Sequence, residues 1–215
     1  MTWRIRRPRR RAALAASTAV ALTAAGAATA LATTTSPSAR VLAPMRLSSP
    51  DFHDGGKLPG WTLWGKDPSC PGRNLAPALR WTNPPAGTKG FAVVVNDVDT
   101  PFSPGFTHWI VYNIPGDVTE LAGHGSNPYS EGATDYDGVS TGYAGPCPPA
   151  SGQTHHYVFR VYALDTDTVP NTVPNAGPNA GPGTGLNDTT LISEISDHML
   201  WSASMIGTVE LPKDH

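Results

Sequence analysis

Four side chains of titrating or hydrogen-bonding type sit where apolar runs begin or end: Asp97, His108, His155 and Tyr157. Asp97 closes FAVVVND (91–97), His108 opens HWIVYNI (108–114), and His155 and Tyr157 open HHYVFRVYAL (155–164). Stranding such groups on a buried face without partners costs about 1–3 kcal/mol each, so together they imply one shared polar site. Imidazole N–H groups and a phenol are donors that strengthen when the acceptor is charged, and a carboxylate beside an imidazole fixes its tautomer. That chemistry is an anion seat needing no metal or other cofactor. Zinc held by His108, His155 and Asp97 is the minority reading. A hydrolase would need an activated nucleophile, and Gly123-His124-Gly125-Ser126-Asn127 lacks the second glycine of a nucleophile elbow, so we read no enzyme.

Strands position these groups. Short β-branched and aromatic runs punctuated by Pro and Gly mark the fold as mainly β, a sandwich or barrel, with strands in MRLSSPDF, LPGWTLW (58–64), ALRWTN (78–83), 91–97, 108–114, 155–164 and SASMIGTVEL (202–211). Side chains alternate between faces along a strand. Asp97 then shares a face with Phe91, Val93 and Val95, His108 with Ile110, Tyr112 and Ile114, and His155 and Tyr157 with Phe159, Val161 and Ala163, while His156 points the other way. Antiparallel pairing across 98–107 brings Asp97 and His108 to one edge of the core. A single late helix is expected where Leu191, Ile192, Ile195 and Met199 recur behind Asn187 or Asp188 as N-cap.

Residues 1–32 have the layout of an export signal: Arg4, Arg6, Arg7, Arg9, Arg10 and Arg11, an uncharged Ala-rich stretch, then Ala30-Leu31-Ala32 as a cleavage pattern. Its Ala and Thr content disfavours a retained membrane span, and no lipoprotein cysteine follows. Residues 33–44 read as a flexible leader and 45–215 as one domain, secreted or in a bacterial-type cell envelope. Removing the six arginines takes the formal charge from −2 to −8. An acidic domain argues against nucleic acid as partner and against general adsorption to anionic lipid. Asn175-Ala176-Gly177-Pro178 repeats at 179–182, and the surrounding segment, 168–187, reads as a mobile surface loop.

The motifs taken together resemble the phosphatidylethanolamine-binding protein family, in its bacterial Raf-kinase-inhibitor-like branch. They are Asp97-Val98-Asp99-Thr100-Pro101, His108-Trp109-Ile110-Val111-Tyr112-Asn113-Ile114-Pro115, Gly145-Pro146-Cys147-Pro148-Pro149 and His155-His156-Tyr157, with SSPDFHDGG (48–56) and CPGRNLAPALRW (70–81) before them. The resemblance spans about residues 45–211. It implies a β-sandwich of antiparallel sheets with a short C-terminal helix and, at one end, a pocket for phosphate or a phosphorylated head group. The family's site residues map onto Asp97, Pro101, His108, His155 and Tyr157, with Gly145 and Pro146 in the bordering loop. This chain departs from the pattern at Val98, where the family commonly has Pro, and at His156, where it has Arg. A turn at Gly142-Tyr143-Ala144-Gly145 would add backbone donors as an anion nest. Cys70 and Cys147 match family positions, and export permits a disulfide joining their loops, provided the Cα atoms lie about 4.4–6.8 Å apart. The competing reading, drawn from the same family, is a secreted peptidase inhibitor or signalling modulator acting through surface loops.

Overall fold

The computed structural model describes residues 43–138, 140–169 and 186–213. The expected export signal (1–32), most of the leader (33–42) and most of the Asn/Gly/Pro loop (170–185) lie outside the described residues. Two sheets face each other. The smaller, in the order β1-β3-β6, joins β1 (Arg46–Ser48), β3 (Leu79–Thr82) and β6 (Glu120–Leu121); the larger, in the order β2-β9-β8-β4-β5-β7, joins β2 (Gly56–Lys57), β9 (Met199–Glu210), β8 (Thr154–Leu164), β4 (Gly90–Asp97), β5 (Phe106–Pro115) and β7 (Ser130–Glu131). Every pairing among these is antiparallel except that of β2 with β9.

Period-two patterning builds the layer between the sheets. In β3, Leu79 and Trp81 are buried while Arg80 and Thr82 are exposed. Opposite them Phe91, Val93 and Val95 of β4 meet Tyr157, Phe159, Val161 and Ala163 of β8 in the same core. Each large apolar side chain removed from water here is worth about 1.5–3 kcal/mol. The outer face of the large sheet is covered as well. Ala92 and Val94 of β4 pack with Tyr162, Leu164, Leu186, Leu191 and Ile195, so β4 is buried on both faces. Leu191 and Ile195 belong to α1 (Asp188–Ile195), capped by Asn187, whose side chain accepts the Thr190 amide at 2.9 Å. A buried polar tie fixes its start: Asn96 Nδ2 donates to Asp188 Oδ2 at 3.0 Å.

Two expectations are corrected. LPGWTLW is no strand: Gly60–Thr62 is a single 3₁₀ turn, and β2 lies just before it. Pro59 starts that turn, and both the amide (2.9 Å) and the hydroxyl (2.7 Å) of Thr62 donate to the Pro59 carbonyl, which coils the chain. Strict alternation also fails in β5. Its register against β4 slips between Val95↔Trp109 and Asn96↔Thr107, leaving His108 as an extra residue, and slips again between Phe91↔Ile114 and Val93↔Val111 beside Asn113, at φ 57°. Trp109, Val111 and Ile114 therefore face the inter-sheet core, whereas Ile110 and Tyr112 face α1. His108 does not share a face with Ile110 and Tyr112 as alternation predicts. The bulge is what turns it toward Asp97 and Tyr157.

Candidate anion site

β4 and β8 pair with Asp97 opposite Tyr157, and β5 brings Phe106 opposite Asp97, so three strands end together. Between them opens a cleft of about 170 Å³, whose lining includes Asp97, His108, His155, Tyr157, Phe106 and Tyr136. The four residues singled out by type and spacing thus converge on one cavity.

Asp97 organises the group. Only 3 % exposed, it accepts His155 Nδ1 on Oδ2 at 2.7 Å and the Asp99 amide on Oδ1 at 3.0 Å. A carboxylate can only accept, so Nδ1 of His155 carries the hydrogen and Nε2 is its remaining ring nitrogen. Next door, Asp99 Oδ2 accepts the amide of His156 at 2.6 Å and its Nδ1 at 2.8 Å. Desolvation works to raise the Asp99 pKa, but these hydrogen bonds outweigh it and hold the carboxyl below its ordinary value. His156 is thus bonded to the loop after β4 and does not line the cleft.

His108 is buried and bound twice to Ala144: Nδ1 lies 2.7 Å from the Ala144 carbonyl, and the His108 carbonyl accepts the Ala144 amide at 2.8 Å. Desolvation pushes its pKa down to about 4, against the raising influence of the Ala144 carbonyl, Asp97 and Asp135. At neutral pH the ring is uncharged, with its hydrogen on Nδ1. Tyr157 is the contrasting case. Its ring meets that of His108 edge-on at 5.1 Å, and its buried hydroxyl makes no close, well-aligned hydrogen bond among the described residues, the Asp97 carboxylate drawing on it only loosely. Desolvation, then the Asp97 charge and hydrogen bonding toward the same carboxylate, raise the phenol's pKa, so it stays a donor.

The residues that the resemblance alone supplied take other places. Pro101 is exposed and does not line the cleft, and neither do Gly145 and Pro146, which are buried behind it. Gly145 presses against the turn at 60–64: a Cβ there would stand 2.2 Å from the Thr62 carbonyl oxygen, so only glycine fits. Asn74 clamps the same loop, donating to the Tyr143 carbonyl at 3.0 Å and accepting the Gly145 amide at 2.6 Å. The expected nest is therefore partly closed, because the amides of Ala144 and Gly145 are engaged within the protein. Cys70 and Cys147 are disulfide-bonded with Cα atoms 5.5 Å apart, and Cys147, Pro148 and Pro149 form the wall of the cleft.

Sequence reasoning missed Phe106 and Tyr136. The Tyr136 ring stacks on Trp64 at 4.5 Å, meets Phe106 edge-on at 4.9 Å, and its hydroxyl donates to the Gly145 carbonyl at 3.1 Å. Desolvation, followed by the Asp97 charge, pushes its pKa up to about 12. It lies in an irregular stretch with no strand period to flag it. Among the described residues, no group of three or more His, Cys, Asp or Glu is placed to hold a metal ion.

The sequence model of the phosphatidylethanolamine-binding protein family matches residues 48–210. The chain belongs to this family. Among its relatives, YbhB of Escherichia coli is 41 % identical over 133 residues, 58 % of this chain and 81 % of that protein. A Mycobacterium tuberculosis protein named as lipoprotein LppC is 40 % identical over 127 residues, 59 % of this chain and 58 % of that one. The crystal structure of Escherichia coli YbcL, described as a member of the mammalian PEBP family, superposes with a TM-score of 0.67 at 28 % identity, covering 79 % of this chain and 99 % of that one. The two sheets and short helix are the family's fold, and membership in the phosphatidylethanolamine-binding protein family supports a binding protein built on it. No described helix is long and apolar enough to cross a membrane.

Proposed function

We propose that this member of the phosphatidylethanolamine-binding protein family is an exported, non-catalytic binder that holds a small anion, phosphate or a phosphorylated head group, in the cleft between Asp97, His108, His155 and Tyr157. The observation that carries the reading is the Tyr157 hydroxyl: a buried donor with no close partner, held only loosely toward Asp97, costs up to about 1–3 kcal/mol, which a well-placed bound acceptor would recover. Asp97 serves orientation, since both its oxygens are engaged by His155 and the Asp99 amide. No lining hydroxyl is hydrogen-bonded to a histidine ring nitrogen, since Thr100 donates to the Asp97 carbonyl and Tyr136 to the Gly145 carbonyl, which supports binding over turnover. Export is supported by the basic and Ala-rich start of the chain and by a relative named as a lipoprotein.

Calorimetric titration with inorganic phosphate, phosphoethanolamine and unrelated carboxylates tests the reading. His155→Ala and Asp97→Asn are expected to weaken phosphate at least about tenfold, as loss of a charge-assisted hydrogen bond would. Unchanged affinity in both variants would remove the cleft from consideration.

A further inference from the structure

Among the described residues, the large apolar side chains left in water form two groups, Val98, Phe102 and Tyr136 at one end of the large sheet and Leu200 and Trp201 at the other. The first group surrounds the mouth of the cleft. Val98 and Phe102 stand on the loop between Asp97 and Phe106, both lining residues, and Tyr136, a lining residue itself, meets Phe106 edge-on. Phe102 is 64 % exposed, its ring 6.5 Å from that of Phe106. The base of the loop is fastened to β8: the Val98 amide donates to the His156 carbonyl at 3.1 Å, and Asp99 Oδ2 accepts the His156 amide at 2.6 Å. Apolar surface is therefore held outward on an anchored loop. Trp64 extends the rim by stacking on Tyr136, and Lys66 Nζ lies 4.6 Å from the Trp64 ring centroid. Rings with one apolar side and one wet edge suit the head-group layer of a bilayer. Charge narrows the partner further. Phosphorylated protein segments are held by clusters of Arg and Lys, and anionic lipid by basic patches, yet no Lys or Arg lines the cleft and Asp97 does.

We infer that the mouth of the cleft is a docking surface for a zwitterionic phospholipid interface, with Val98, Phe102 and Tyr136 entering the head-group layer. The cleft then takes its phosphorylated head group from a bilayer and not from solution. The inference rests on the anion reading and names the source of the anion.

Flotation of the full chain with vesicles of phosphatidylcholine and phosphatidylethanolamine tests the surface. Phe102→Ser is expected to lower vesicle partitioning about tenfold, as withdrawal of one phenyl ring from the interface would, and Val98→Ser by a smaller factor. Neither residue lines the cleft, so both variants should keep wild-type affinity for inorganic phosphate in calorimetry. Trp201→Ser, at the far end of the sheet, should partition as wild type does, and added anionic phosphatidylglycerol should give no gain. A site-resolved readout separates the mouth from the Ala-rich start of the chain. With the five phenylalanines fluorinated, bicelles carrying spin-labelled phosphatidylcholine should broaden the ¹⁹F signal of Phe102, assigned by its loss in Phe102→Ser, more than those of Phe91 and Phe159 in the core. Equal partitioning of wild type and Phe102→Ser, or a Phe102 signal broadened no more than the core ones, overturns the docking surface and leaves the anion reading standing. No heat with inorganic phosphate or phosphoethanolamine overturns both, whatever the vesicles show. A phosphoserine peptide bound more tightly than phosphate, and weakened by Phe102→Ser, with vesicles unbound, overturns the lipid in favour of a protein partner.

Discussion

His108 and Ala144 hold each other at two points, ring nitrogen to carbonyl at 2.7 Å and carbonyl to amide at 2.8 Å. This double contact ties the bulged end of β5 to the loop that also carries Cys147, and it fixes the tautomer of a ring facing the cleft. Bulge, loop and disulfide are one mechanical unit around the candidate site.

Tyr157→Phe separates function from stability. Removing a buried hydroxyl without a close partner should leave the ligand-free protein as stable as wild type or more stable, by up to about 1 kcal/mol. Phosphate affinity should drop about tenfold or more. Urea denaturation and calorimetry on the same samples check both; a destabilised variant with full affinity contradicts the assignment.

Acid should weaken the fold through His108. Its folded pKa, about 4, lies below the ordinary value of 6.5, so between these limits the unfolded chain binds a proton that the folded one refuses. The stabilising contribution is whole above pH 6.5 and is lost as pH falls toward 4, about 3 kcal/mol in all. Comparing urea midpoints of wild type and His108→Gln across pH 4–7 isolates this group from the carboxylates, and parallel curves would refute it.

Reducing the Cys70–Cys147 bond should destabilise the protein by about 4 kcal/mol, from the chain entropy of a loop with a sequence separation of 77 residues. Because Cys147, Pro148 and Pro149 wall the cleft, phosphate should also bind more weakly to the reduced protein. Thermal melts and titrations with and without reductant measure the two effects.

Gly145→Ala places a methyl group 2.2 Å from the Thr62 carbonyl oxygen, a backbone atom that cannot swing aside. A loss of about 1–3 kcal/mol is expected. Gly138→Ala, at φ 70° but with open space around its Cβ, tests backbone strain without a clash and should cost about 1 kcal/mol or less.

Much of this was legible from residue order. Alternation placed Asp97, His155 and Tyr157 on the inward face because β4 and β8 pair without a slip. It placed His108 correctly for the wrong reason, since a one-residue bulge leaves little trace in a hydrophobic pattern yet reverses which face a side chain takes. Pro101, Gly145 and Pro146 came from motif matching, which finds residues that shape a loop as readily as those lining a cavity. Tyr136 reaches the rim through a stretch held by Trp64, Phe106 and the Gly145 carbonyl, contacts that no local period announces. The apolar run at 58–64 misled because Pro59 and Thr62 close a turn with hydrogen bonds that hydrophobicity does not encode.

The central claim, that Asp97, His108, His155 and Tyr157 form an anion seat, is tested most directly by long-range ¹H–¹⁵N NMR of the histidine rings during a titration with inorganic phosphate. Saturable shifts are expected at the ring nitrogens of His108 and His155, with His53, His124, His156 and His198 unmoved. Shifts at His156, on the opposite face of β8, with His108 and His155 unchanged would contradict it.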